Sequence, residues 1–185
     1  GNILGSTYMK IQEVMAAWIA ITIKFAFAQD EMISKVRQAA VGSKEFDDVV
    51  INAHLNMRTL GVSTEEMGAA FASLHRNMAE FTNLNKAAQG EILEFTALMG
   101  EMGVSTDTTA ANLQILTKSL GFSTDEAVAT SRELAGAATA IGMPIDEMMS
   151  GFKQAAPILA KYGRDAPNIF KKVAAASKAT GLSIQ

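Results

Sequence analysis

A short phrase recurs along this chain and divides it: an apolar residue, Gly, an apolar residue, Ser, and then acid. It reads Leu60-Gly61-Val62-Ser63-Thr64-Glu65-Glu66, Met102-Gly103-Val104-Ser105-Thr106-Asp107 and Leu120-Gly121-Phe122-Ser123-Thr124-Asp125-Glu126. Looser forms stand at Ile141-Gly142-Met143-Pro144-Ile145-Asp146-Glu147 and Thr180-Gly181-Leu182-Ser183-Ile184. Glycine enters the left-handed conformation that closes a helix, and serine accepts a backbone N–H at the start of the next. Glu66 and Glu126, three residues after Ser63 and Ser123, complete capping boxes. A chain punctuated in this way is expected to be all-α, with a long N-terminal helix followed by short helices in a helical-repeat or bundle arrangement.

Gly42, Gly61, Gly103, Gly121, Gly142, Gly163 and Gly181 are the expected junctions, and an unmarked break near Thr82-Asn83-Leu84-Asn85 completes a spacing of 18–21 residues. Three such steps make a super-period of 60: sliding residues 60–119 onto 120–179 matches nine positions, clustered at the junctions. Between breaks the apolar spacing is helical. Met67, Phe71, Leu74, Met78 and Phe81 form one stripe, and Ile145, Met149, Phe152, Ala156 and Leu159 another, both read as core. Ser43 is expected to cap a helix over 44–59. Pro157 should kink or shorten its helix, and Pro167 suits a first turn behind the cap Asp165.

Two regions follow. Residues 1–41 read as a long apolar helix for assembly or membrane contact, and residues 42–185 as the repeat region. From Val14 to Ala28 the first helix is apolar nearly all round, with Trp18, Ile19, Ile21, Ile23, Phe25 and Phe27 as its candidate assembly or membrane face. The run is shorter than the roughly 20 apolar residues a bilayer span needs. It is therefore read as buried in an assembly or core, with membrane insertion the alternative. A chain opening on Gly1 rather than Met is expected to be a piece of a larger protein, and no signal peptide is recognisable.

Composition narrows the chemistry. With 49% apolar residues, 11 Met and 6% aromatics, the helices have adaptable packing faces. Without Cys there is no disulfide, thiolate metal site or Cys nucleophile. The net charge of −3 argues against specific nucleic-acid binding. Charge is uneven: Lys153, Lys161, Arg164, Lys171, Lys172 and Lys178 face only Asp165 after residue 150. An acidic body with a basic end favours head-to-tail or side-by-side association, although a solvated basic face is the plainer reading. No phosphate loop, dinucleotide fingerprint or nucleophile elbow is present. His54 and His75 stand alone, and the acid pairs fall in first turns, where the helix dipole already accommodates them. The expectation is a non-enzyme with no cofactor and no metal.

From Phe27 to Gln185 the sequence resembles the tape measure proteins of tailed bacteriophages. The likeness is carried by Glu31-Met32-Ile33-Ser34-Lys35-Val36-Arg37-Gln38-Ala39-Ala40, then Gly42-Ser43-Lys44-Glu45-Phe46-Asp47, and by the Leu60–Glu66 junction. The resemblance implies a virion structural protein in the tail interior, assembled in the host cytoplasm. It further implies a homo-oligomer that sets tail length as an internal scaffold, with tail tube and baseplate proteins as partners. A role in genome ejection, with transient host membrane contact through Val14–Ala28, is implied as well. The frequent Gly-Ser breaks depart from an extended rod and suit compact helical hairpins. The alternatives are a membrane-active protein of pore or toxin type and a helical-repeat protein-binding module.

Overall fold

The structure is a computed structural model; it describes the backbone of residues 3–181 and the side chains of residues 15–181 apart from residue 18. Eight α-helices follow one another, and no strand occurs among the described residues: α1 (Ile3–Ala39), α2 (Asp47–Met57), α3 (Thr64–Asn77), α4 (Lys86–Glu101), α5 (Thr106–Gln114), α6 (Thr124–Ala140), α7 (Ile145–Leu159) and α8 (Ala166–Thr180). Short 3-10 turns follow α2, α3 and α7, and one π-helical stretch, Ile115–Ser119, follows α5. The sequence predicts the all-α class and the long first helix, and both are present.

The junctions show why the chain divides where it does. Gly42, Gly61, Gly103, Gly121, Gly142, Gly163 and Gly181 all have positive φ, between 52° and 97°. Gly68, Gly90, Gly100, Gly136 and Gly151 lie inside helices. Ser63 Oγ accepts from Glu66 N at 3.2 Å while Ser63 N donates to Glu66 Oε2 at 2.7 Å. Ser123 and Glu126 repeat the arrangement at 3.3 and 2.7 Å. The unmarked break is a 3-10 turn over Phe81–Asn83, after which Asn85 Oδ1 accepts from Ala88 N at 2.9 Å.

Three local expectations are corrected. The helix after Gly42 begins at Asp47, with Phe46 rather than Ser43 in the capping position, because Phe46 turns inward to join an aromatic cluster. Ser43 Oγ instead accepts from Glu45 N in the turn, at 3.2 Å. Ser105 precedes α5 but makes no side-chain cap bond, and neither does Asp165 before α8. Pro157 lies within α7, which ends two residues later at Leu159 and tightens into the 3-10 turn.

Each helix packs on the next and on the next but one, the pattern of a stack of helical hairpins, and every substantial helix–helix contact is of these two kinds. The 60-residue period survives in three dimensions: α3 and α6 start at residues 64 and 124, and α2, α5 and α8 at 47, 106 and 166. One core runs through the stack. Met67, Phe71, Leu74, Met78 and Phe81 are all buried. Phe71 meets Phe46 and Phe81 with ring centroids 5.3 and 5.7 Å away. Met149, Phe152, Ala156 and Leu159 are buried in the second stripe while Ile145 is only half-buried, and Phe152 meets Phe170 of α8 at 5.5 Å.

Candidate functional site

The long helix joins the stack by its C-terminal third alone. Met32, Ile33, Val36 and Ala40 are buried, with Gly68 of α3 allowing close approach to Met32 and Lys35. Arg37 Nε donates to Asp47 Oδ2 at 3.1 Å and ties the helix to the start of α2. That pairing holds the Arg37 pKa above its ordinary value.

Toward the N-terminus the contacts stop. Phe25 is the first partly covered large side chain; its ring stacks on His54 at 6.4 Å, and the Arg58 guanidinium lies 5.9 Å from the ring centroid. His54 is itself buried, and its Nδ1 has no hydrogen-bond partner among the described residues. Burial lowers the imidazole pKa, the Arg58 charge lowers it further, and the hydrogen bond to the Val62 backbone opposes both.

Among the described side chains before Phe25, the large apolar ones are exposed. Ile19 is 56%, Ile21 61% and Ile23 49% exposed, and Phe27 is 70% exposed beside the root. The side chain of Trp18, the remaining member of the candidate face, lies outside the described residues. Ile19, Ile21, Ile23 and Phe27 therefore lie outside the core formed by the described residues. At 100° per residue, Ile19 and Ile21 point about 160° apart, so the apolar surface wraps the helix rather than forming one stripe. No helix among the described residues is long and apolar enough to cross a membrane.

The junction residues form a second set, dispersed along the stack. Gly61 and Gly103 make their turns without crowding, Gly61 coming no closer than 3.9 Å to Glu101 through an added Cβ. The Glu101 carboxyl bonds to that of Glu66, which raises the Glu101 pKa, while Ser63 holds that of Glu66 low. Gly121, Ser123 and Glu126 are gathered by Arg164. This arginine donates to Glu126 Oε1 and to the Gly121 carbonyl at 2.9 Å, and lies 4.4 Å from the Phe122 ring centroid. Arg164 and the Ser123 backbone hold Glu126 down at about 2. The sequence reading missed this role, although Arg164 is the single arginine among the lysines of the basic end. Gly142, Gly163 and Gly181 turn the chain at φ of 67°, 52° and 71°.

Among the described residues no group of three His, Asp or Glu side chains is placed to hold a metal ion. The shallow groove between α2 and α4 is lined by Asp48, Asn52, Asn56, Lys86, Gly90 and Glu94, with Lys86 Nζ 3.9 Å from Asp48 Oδ2. Comparison with family models, with curated proteins and with solved structures finds no match for this chain.

Proposed function

We propose that this chain is a structural assembly element, a piece of a tape-measure-type tail protein. Its projecting helix bundles with the same helix of other copies, while its helical stack acts as a spacer. The observation that carries this reading is the apolar surface on opposite sides of α1 at Ile19 and Ile21. Contiguous exposed apolar surface of this kind marks an interaction site. Fully burying each large apolar side chain contributes about 1.5–3 kcal/mol, enough in sum to hold several helices together. A wrapped rather than one-sided surface calls for cover from more than one side, which a bundle of three or more copies provides. The family resemblance supplies the setting: the interior of a phage tail, with tube and baseplate proteins as neighbours.

Sedimentation of the chain and of its Ile21→Glu variant, each with and without liposomes, tests the proposal. The expected result is an oligomer for the parent chain and a monomer for the variant, unchanged by lipid. A monomeric parent that partitions into liposomes would favour the pore-type alternative and overturn the scaffold.

A further inference from the structure

α2 and α5 sit 60 residues apart in the stack, and each covers one face with the helix two steps along. On α2, Val49 and Ala53 are buried on that side, and exposed Asn52 and Asn56 line the open groove formed with Lys86, Ala87, Gly90, Glu91 and Glu94 of α4. Asn56 Nδ2 donates to Glu94 Oε1 across it at 2.7 Å. Sixty residues on, α5 presents Thr109, Asn112 and Leu113, with Leu116 following in the π-helical stretch, all 0% exposed, and Asn112 Nδ2 donates to the Met149 carbonyl of α7 at 2.9 Å. The same positions on α8 are Ile169, Lys172, Val173 and Ala176. Here Ile169 is half-buried, Lys172 and Ala176 are exposed, and Val173 is 51% exposed where Leu113 is sealed. The stacking face is repeated, and among the described residues nothing covers it.

Its counterpart is marked by charge and by one large apolar side chain rather than by burial, since Lys86, Ala87 and Glu91 of α4 stay exposed beside α2. Carried back 60 residues, the α4 positions of the groove fall on Ala26, Phe27, Asp30, Glu31 and Ser34 of α1, all exposed, with Phe27 at 70%. We infer that a second copy of this chain completes the joint: α8 of one copy docks on the outer face of α1 of the next, so that the stack continues head to tail. The occupant is chosen by continuity with the two internal joints and by charge. Lys172 stands at the place of Asn52 and Asn112, opposite the positions of Asp30 and Glu31, and it has no ion pair among the described residues of its own chain. Ile169 and Val173 meet Phe27 and Ala26. Two unlike surfaces make a heterologous contact, which adds copies in sequence until the rotation closes a ring or a filament grows. The joint uses residues 26–34 and leaves the helix around Ile19–Ile23 free, so it stands apart from the bundle proposed above.

The absence of Cys makes a direct test available. Full-length Phe27→Cys and Val173→Cys proteins are prepared separately, checked for unchanged helical circular dichroism, mixed and mildly oxidised. The expected product is the mixed disulfide, formed in excess over either homodimer, and it persists when Ile21→Glu is added to both chains. Homodimers alone, or no disulfide, overturn the joint. Charge reversal gives a second reading: Lys172→Glu weakens association about fivefold, the upper range for one exposed pair, and mixing with an Asp30→Lys, Glu31→Lys chain restores it. Failure of that recovery likewise overturns the joint.

Discussion

The ring of Phe25 stacks on the imidazole of His54, 6.4 Å between centroids and inclined by 28°. This contact marks where α1 leaves the stack, and it couples the footing of the projecting helix to an ionisable group. His54 is buried with Nδ1 unpartnered, and Arg58 is the charged group acting on it. The nearby acids are engaged elsewhere, Glu66 and Glu101 with each other and Glu94 with Asn56.

Because its pKa in the fold lies below the ordinary histidine value, the neutral ring is the folded form. The unfolded chain then binds the extra proton, so stability is full above the unfolded pKa and is lost as pH falls through the folded one. Thermal unfolding is expected to move to lower temperature between about pH 7.5 and about pH 5.5, with the drop reduced in His54→Gln, whose carboxylates titrate alike. Equal pH dependence in the two proteins would remove His54 from the account.

The junction serines are unequal: Glu66 and Glu126 stand three residues after Ser63 and Ser123, and Thr108 three after Ser105. Ser63 and Ser123 make side-chain cap bonds and Ser105 makes none. Ser63→Ala and Ser123→Ala should each cost about 1 kcal/mol in chemical denaturation, and Ser105→Ala only a few tenths. A cost at Ser105 matching the other two would contradict the bonding described.

Backbone conformation gives a paired prediction. Val41 has φ of 54° and is 92% exposed, so a β-branched side chain occupies left-handed space with little burial to offset it. Val41→Gly is expected to be neutral or stabilising by up to about 1 kcal/mol, the left-handed penalty outweighing the added chain entropy. Gly103→Ala, at φ of 84°, should cost about 1–2 kcal/mol. Gly136→Ala, in the body of α6 with open space around it, should stabilise by about 0.5–1 kcal/mol. The three midpoints, measured by urea denaturation, check the order.

Glycine junctions were legible because a left-handed turn admits few residue types, and the two complete capping boxes because their partners lie three residues apart. Ser43 misled because a serine after a glycine signals a cap only if the next residues are free to coil; Phe46 is drawn into the Phe71 and Phe81 cluster instead. Arg164 was invisible as a staple because its partners, Gly121 and Glu126, lie 43 and 38 residues away. Local pattern cannot show which helix covers which, so the match between the α8 and α1 faces emerged only from the packing of α2 on α4 and of α5 on α7. For the projecting helix, sequence revealed the apolar run, and structure that Ile19, Ile21, Ile23 and Phe27 find no cover among the described residues.

The chain's one tryptophan, Trp18, lies within that run and reports on it directly. Its fluorescence emission and acrylamide quenching should be followed as protein concentration rises, with mass measured in parallel. If α1 is covered by other copies, emission shifts to shorter wavelength and quenching falls as the oligomer forms. An indole that stays water-exposed at every concentration, in a chain that stays monomeric, would contradict the assembly role.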